Sequence, residues 1–161
     1  MSHIPPAVRI LPMDSDENEF AGKSVEEVQR DFFLRDLRAE PRRGRYLFRS
    51  QGLKAARGTV VLFQHTGRII ASATFDRIER FDEPKEDIYS GALYFDTDSV
   101  RVFDPVGPDL LRQIWPKFKG FNQGKQSLDP QAYPAFEREL SGVEGCPTES
   151  QLAAAPPGPQ A

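Results

Sequence analysis

Aromatic and basic side chains alternate in one short stretch of the chain. Three aromatic residues and three lysines share it: Trp115, Lys117, Phe118, Lys119, Phe121 and Lys125. A nucleic-acid base stacks on an aromatic face for ~1–3 kcal/mol, and a lysine neutralises the phosphate beside it. The stretch therefore predicts a nucleic-acid surface or a base pocket. The same aromatic rings also suit packing of the terminal helices onto the core, which is the expected place for Phe118.

Polar side chains at the ends of predicted strands could read the edge of a base. These candidates are Ser50, Gln51, Gln64, Asp96, Asn122 and Gln123. A base held outside its helix is read by a few fixed donors and acceptors above an aromatic floor. The six positions supply donors and acceptors of that kind.

Positive charge is concentrated between residues 35 and 57, although the whole chain has a net charge of −3. This segment holds two acidic residues and eight basic ones: Arg35, Arg38, Arg42, Arg43, Arg45, Arg49, Lys54 and Arg57. The local potential attracts a phosphate backbone whatever the total charge is. A solvated arginine-rich helix end and loop would show the same pattern.

Most catalytic and metal chemistry lacks the residues it needs. The chain has two histidines, His3 and His65, and one cysteine, Cys146, which argues against a structural zinc site or an internal disulfide. His65 lies at a predicted hairpin corner and is expected to be exposed there. The glycine-containing loop from 120 to 126 has the wrong spacing for a phosphate loop. We therefore expect no cofactor, no metal and no catalytic residue.

Aspartates at Asp96, Asp98 and Asp104 are close enough in sequence to suggest a metal-dependent nuclease. No strand places a lysine two residues after an acid, as such enzymes usually do. Side-chain hydrogen bonds to the backbone of a turn explain these aspartates better.

The elements that must position these residues follow from local patterns. Ser24 and Glu27 form a capping box that begins a helix from Ser24 to about Arg38. Five strands are predicted over 45–51, 59–65, 69–79, 92–96 and 99–104, with a tight turn at Gly67 and a flexible loop over 80–91. Two helices follow, from Pro108 to Trp115 and from Asp129 to about Leu140.

The predicted organisation is one α+β domain, a small barrel of about five mainly antiparallel strands with flanking helices. It spans 24–142, between a flexible N-terminal arm at 1–23 and a Pro/Ala-rich tail at 143–161. No apolar run reaches the length of a membrane span, and the N-terminus lacks the pattern of a signal peptide. We expect a cytoplasmic protein that does not contact the membrane.

The order of these elements resembles a known superfamily. The segments GRYLFRSQG, GTVVLFQHTGRIIASATF, GALYFDTDSVRVFDP and IWPKFKGFNQGKQSLDP are similar to PUA-like domains. The likeness is to the EVE-like and ASCH-like barrels at the N-terminus of modification-dependent HNH restriction endonucleases. It covers about residues 24 to 142 and contains no short diagnostic motif.

The resemblance implies a non-catalytic domain that recognises a modified cytosine in double-stranded DNA by base flipping. The base pocket it implies consists of Tyr46, Arg49, Ser50, Phe63, Gln64, Trp115 and Asn122. The phosphate contacts it implies are Arg42, Arg43, Arg45, Lys54, Arg57, Lys117 and Lys119. The chain lacks the residues of an HNH nuclease, so the cutting activity would belong to a downstream or separate nuclease.

Two other functions fit the same patterns. Some ASCH-like barrels are reported as nucleases or amidohydrolases, so the resemblance also allows RNA binding or an RNA-directed enzyme. A protein-interaction barrel with a merely solvated basic surface is the third hypothesis.

Overall fold

The computed structural model describes residues 4–13, 20–39, 43–48, 53–85, 89–122 and 125–145. Within these ranges the strands are β1 (Val8–Pro12), β2 (Arg45–Phe48), β3 (Val60–His65), β4 (Arg68–Lys85), β5 (Tyr89–Phe95), β6 (Arg101–Val106), β7 (Ser127–Leu128) and β8 (Glu144–Gly145). The helices are α1 (Val25–Glu27), which continues as a π-helix (Val28–Asp36), α2 (Pro108–Ile114) and α3 (Tyr133–Glu139). Short 3₁₀ turns cover Thr97–Ser99 and Pro130–Ala132.

The strands form one mixed sheet in the order β2-β5-β4-β3-β1-β7, and β6 pairs with both β4 and β8. β1 runs parallel to β3, whereas the other strand pairs among the described residues are antiparallel. The sheet curls into an open pseudo-barrel with few flanking helices, which confirms the predicted α+β class. The five predicted strands correspond to β2 through β6.

The N-terminal segment is not a free arm where the structure describes it. β1 hydrogen-bonds along β3, and its Ile10 side chain is completely buried. The prediction of a flexible arm over 1–23 is therefore wrong for Val8–Pro12. A parallel partner fifty residues away leaves no local turn signal, so the sequence pattern missed it. β8 likewise occupies two residues of the predicted tail, and residues from 146 onward lie outside the described ranges.

The predicted loop over 80–91 is also wrong for most of its length. β4 continues to Lys85, and β5 already begins at Tyr89. The register between these strands shifts between Arg80 and Lys85, and Pro84 lies in that irregular stretch. A proline is tolerated in a strand at such a bulge, so Pro84 does not end β4.

Several local signals are confirmed. Ser24 and Glu27 form both hydrogen bonds of the capping box. Gly67 has a φ of 77° in the hairpin turn between β3 and β4. Pro108 lies in the first turn of α2, and the Asp129 side chain caps the 3₁₀ turn before α3.

The first helix is mainly a π-helix. Its buried side chains are Val28, Phe32, Phe33 and Leu37. Val28 and Phe33 are five residues apart, as are Phe32 and Leu37. This spacing matches backbone hydrogen bonds between residues five apart, such as Leu37 N–H to the Phe32 carbonyl. The wider turn keeps the apolar positions on the face that packs on the barrel.

β3 lies between two apolar cores. Val61 and Phe63 face the first core, beneath the π-helix, while Val60 and Leu62 face the second, beneath α2 and α3. β3 is therefore a central strand that is buried on both faces.

A bulge shifts the pairing of β3 with β4. Phe63 pairs with Ala71 and Gln64 pairs with Ile69, so Ile70 is the extra residue. Ile69 consequently faces the second core instead of the first, where Ala71 and Ala73 lie. The bulge therefore places Ile69 on the opposite face from both alanines, although simple alternation along β4 would put the three on one face.

Candidate functional site

The last two residues of β3 carry buried polar side-chain atoms that lack partners among the described residues. Gln64 and His65 follow directly on the bulge and are only 7% and 2% exposed. The side-chain oxygen of Gln64 and both imidazole nitrogens of His65 are buried without a hydrogen-bond partner among the described residues. Leaving a buried polar group unpaired costs about 1–3 kcal/mol, so three such atoms together mark a candidate ligand site. We call Gln64 and His65 with their neighbours the polar pocket.

Burial of His65 overturns the expectation of an exposed turn histidine. The turn itself begins at Thr66, which is exposed, whereas His65 still belongs to β3 and packs against Phe20. Burial lowers the pKa of His65, because a charged imidazole loses its hydration there. The ring is therefore neutral at physiological pH, with one nitrogen as a donor and the other as an acceptor.

Aromatic rings pack on the His65 side of the polar pocket. The Phe20 ring centroid lies 6.3 Å from that of His65 and 6.5 Å from that of Tyr46, with which it stacks. Tyr46 in turn contacts Phe63 at 5.6 Å. Two predicted pocket residues, Tyr46 and Phe63, are thus within this cluster, and both are buried core residues.

Asn122 is linked to the same place. The Gln64 side-chain nitrogen donates to the Asn122 carbonyl at 3.1 Å, and the Met13 N–H donates to the Gln64 carbonyl at 2.8 Å. The first bond fixes the Gln64 amide so that its oxygen is the unpaired atom. The structure therefore brings the predicted pocket residues together in two separate pairs: Tyr46 with Phe63 in the first core, and Gln64 with Asn122.

Trp115 is not in this group. Its ring packs against Phe136 at 5.5 Å in the second core, and its Nε1–H donates to the Asp129 carbonyl at 2.8 Å. Phe118 is also buried there, as expected. Four further candidates for base reading lie outside the described residues: Arg49, Ser50, Gln51 and Gln123.

A basic cleft lies on the outer face of β2, β5 and β4. Arg45 pairs with Tyr94, which pairs with Arg77, so one row of residues crosses the three strands. Arg38 and Arg43 join this row around an open cavity of about 560 Å³. We call this cavity, with its four arginines, the arginine cleft.

The backbone beside the arginine cleft is constrained. Arg43 has a φ of 48°, which is uncommon for a residue other than glycine, and Gly44 follows at 87°. A side chain at Gly44 would collide with the Phe95 carbonyl. The N–H of Phe95 donates to the Gly44 carbonyl at 2.9 Å. This turn holds Arg43 next to β2, the strand that begins at Arg45.

Tyr94 is fixed within the arginine cleft. The Arg77 guanidinium lies 3.9 Å from the centroid of the Tyr94 ring, and the Tyr94 hydroxyl donates to the Glu79 carboxylate at 2.9 Å. Burial and the adjacent Glu79 charge raise the pKa of Tyr94, so the hydroxyl remains protonated.

The remaining predicted phosphate contacts are distributed over the surface. Arg57 is 83% exposed and forms an ion pair with Asp76 at 2.7 Å, and Lys54 is exposed on the preceding loop. Lys117 and Lys119 are exposed after α2. Arg42 lies outside the described residues. Of the seven, the structure places Arg43 and Arg45 in the arginine cleft.

Sequence reasoning missed three residues of these two sites: Phe20, Arg77 and Tyr94. It counted Arg38 only as part of the basic segment. Period-two alternation marks Arg77 and Tyr94 as outward-facing, but their alignment with Arg45 depends on strand register, which no local pattern carries. Phe20 lies in the segment predicted as a free arm.

Two of the three aspartates, Asp96 and Asp98, belong to a turn as expected. The Asp96 carboxylate accepts from the Asp98 N–H at 3.0 Å, which caps the 3₁₀ turn. Asp104 instead contacts the Ser141 hydroxyl at 3.1 Å. Within the described ranges, no three His, Cys, Asp or Glu side chains gather as a metal site requires. None of the helices described there is long and apolar enough to cross a membrane.

Comparison with protein-family models and with curated proteins finds no match. Among solved structures, the chain is similar to ASCH from Zymomonas mobilis, with a TM-score of 0.53 and 12% identity over 85% of this chain and 98% of that one. The fold is ASCH-like. A tyrosine-to-phenylalanine mutant of that protein matches the ASCH-like barrel with a TM-score of 0.52 and 10% identity, over 83% of this chain and 99% of that one. The likeness confirms the expected ASCH-like fold, and at this identity it shows the fold alone.

Proposed function

We propose that this protein is a nucleic-acid-binding domain whose arginine cleft contacts the phosphate backbone. The observation that carries the proposal is the convergence of Arg38, Arg43, Arg45 and Arg77 on one open cavity. Arginine forks bind phosphate oxygens through paired, charge-assisted hydrogen bonds. The ASCH-like fold supports the assignment, because the resemblance seen in the sequence also pointed to nucleic acid.

We further propose that the polar pocket reads a base. Its unpaired atoms are an acceptor on Gln64 and a donor and an acceptor on the neutral His65 ring. The Watson–Crick edge of cytosine presents a complementary amino donor beside a ring acceptor. Phe20 and Tyr46 supply aromatic surface next to these atoms.

The edge of the sheet offers a route from phosphate to base. β2 is the terminal strand of the sheet order, and consecutive residues on it face opposite sides. Arg45 lines the arginine cleft on the outer face, while Tyr46 belongs to the first core on the inner face. A nucleotide extruded from a duplex would pass over this edge, with its phosphate outside and its base inside.

The finer proposal is a reader of modified cytosine, without catalysis of its own, that gives specificity to a separate nuclease. Burying one extra methyl group adds about 0.8 kcal/mol, which is roughly a fourfold preference. Titration of the chain at one fixed salt concentration with duplexes containing cytosine, 5-methylcytosine or 5-hydroxymethylcytosine measures this preference directly.

His65→Phe should remove the preference among duplexes, whereas Arg77→Ala should weaken binding to all of them alike. Equal affinity of the unchanged chain for the three duplexes would disprove base reading and leave the phosphate contact intact. Tighter binding to single-stranded RNA of the same sequence would move the assignment to RNA. Failure to bind any of these at low salt would overturn the proposed function and favour a protein-interaction barrel.

A further inference from the structure

A second cavity lies apart from both sites, between the sheet and α3. Its volume is about 260 Å³. Ser72 on β4 and Arg101 on β6 are paired in the sheet, and Tyr133 and Glu137 on α3 face them one helical turn apart. We call this cavity the α3 pocket.

An ion pair with unused bonding capacity lies in the α3 pocket. Arg101 Nη1 is 3.3 Å from Glu137 Oε2, and the two side chains are 27% and 29% exposed. A guanidinium has five N–H donors and a carboxylate accepts about four hydrogen bonds. The pair uses one of each among the described residues, so both ions can bind a further partner.

The rest of the lining is neutral. The Tyr133 hydroxyl is buried, hydrogen-bonded with Ser72, and its pKa is raised by burial and by the Glu137 charge, so it remains protonated. Val60, Ala73 and Pro6 supply apolar surface beside it. The charged groups of the α3 pocket are therefore one cation and one anion, a few ångströms apart.

We propose that the α3 pocket binds a small zwitterion of the free α-amino acid class, with its carboxylate on Arg101 and its ammonium on Glu137. A simple anion would meet the Glu137 charge, and a simple cation would meet the Arg101 charge. A zwitterion satisfies both ions at once, and its side chain can lie on the apolar wall. The volume limits the ligand to a single amino acid, since most drug-sized ligands fill ~300–1,000 Å³.

A ligand series on the unchanged chain tests this proposal without any variant. Free L-alanine, L-valine and L-proline are titrated by calorimetry and by NMR shifts of α3 and β6, beside the N-acetyl and the amide form of each. Each capped form lacks one charge and should bind at least about tenfold more weakly, as expected for the loss of charge-assisted hydrogen bonds. Equal binding of free and capped forms, or no binding of any free amino acid at millimolar concentration, overturns the proposal.

Variants then locate the site. Glu137→Gln should weaken binding of the free amino acid about tenfold or more, for the same reason. Glu139→Gln, an exposed glutamate two residues further along α3, is the matched control and should leave it unchanged. Equal effects of the two variants would overturn the location. Duplex binding should be unaffected by either variant, so this proposal and the nucleic-acid proposal can fail separately.

Discussion

The residue that departs most from its expected setting is His65. It has the burial of a core residue, yet neither ring nitrogen has a partner among the described residues. A site used only for packing would be more stable with an apolar ring there. The histidine is better explained by a ligand that completes its hydrogen bonds.

His65→Phe should therefore stabilise the free protein while it impairs base recognition. Removing a buried, unpaired polar group and keeping the ring should raise the free energy of unfolding by about 1 kcal/mol. Urea denaturation followed by circular dichroism measures this change. A decrease of more than about 1 kcal/mol would instead mean that His65 already has a structural partner. Gln113→Met, at an exposed position on α2, is the control, expected to leave stability nearly unchanged.

The same residue predicts how stability depends on pH. Burial lowers the pKa of His65 below its ordinary value of 6.5, so the unfolded state takes up a proton before the folded state does. Protonation of His65 therefore leaves the free energy of unfolding unchanged above about pH 6.5. Below that pH the free energy of unfolding declines, until the pH reaches the folded pKa of His65. Denaturation across this range should show less decline for His65→Phe than for the unchanged chain. Identical pH profiles would contradict a lowered pKa.

At the scale of elements, the bulge of β4 is held by a residue of the π-helix. The Gln29 side-chain nitrogen donates to the Ile70 carbonyl at 2.9 Å and to the Phe103 carbonyl at 2.7 Å. Ile70 is the extra residue of the bulge, so Gln29 bonds to the irregularity that sets the positions of Gln64 and His65. Helix and pocket are linked through this one side chain.

Gln29→Met should lower the free energy of unfolding by about 1–3 kcal/mol, because it keeps the length of the side chain but leaves two carbonyls without a donor. The thermal midpoint would fall accordingly. Arg30→Met, on the adjacent position with a side chain that is 67% exposed, is the matched control and should have little effect. Similar decreases for both variants would refute a specific role of Gln29.

These elements also show what local sequence patterns can predict. The capping box at Ser24 and the turn at Gly67 depend on a few consecutive residues, and both were predicted. β1, the bulge at Ile70 and the row of Arg45, Tyr94 and Arg77 depend on pairing between distant segments. Composition and periodicity do not encode that pairing, so Gln64 and Asn122 were predicted as candidates while the bond between them and the burial of His65 were not.

At the scale of the whole molecule, positive charge is concentrated locally. The chain has a net charge of −3, yet its arginine cleft presents four guanidinium groups around one cavity. Backbone contacts of this kind release counterions, so affinity depends on salt.

Arg77→Ala should reduce the slope of log affinity against log salt by about 0.9 for each duplex phosphate that the variant no longer neutralises. Fluorescence anisotropy at several salt concentrations measures this slope. Arg112→Ala is the matched control, because Arg112 is paired with Asp109 as Arg77 is with Asp76, but lies on α2 outside the arginine cleft. An unchanged slope for Arg77→Ala would exclude a phosphate interaction at that position.

The position of β1 has a consequence for the order of assembly. One edge of β1 pairs with β3 at residues 60–64, and the other pairs with β7 at residues 127–128. During synthesis β1 emerges before both partners, and its outer edge stays open until Leu128 has left the ribosome. Such long-range closure is slow, and an open strand edge invites pairing with other chains. The outer edge of β1 is thus covered only after β2 to β6 have been made, and a chain arrested before β7 would be prone to aggregation.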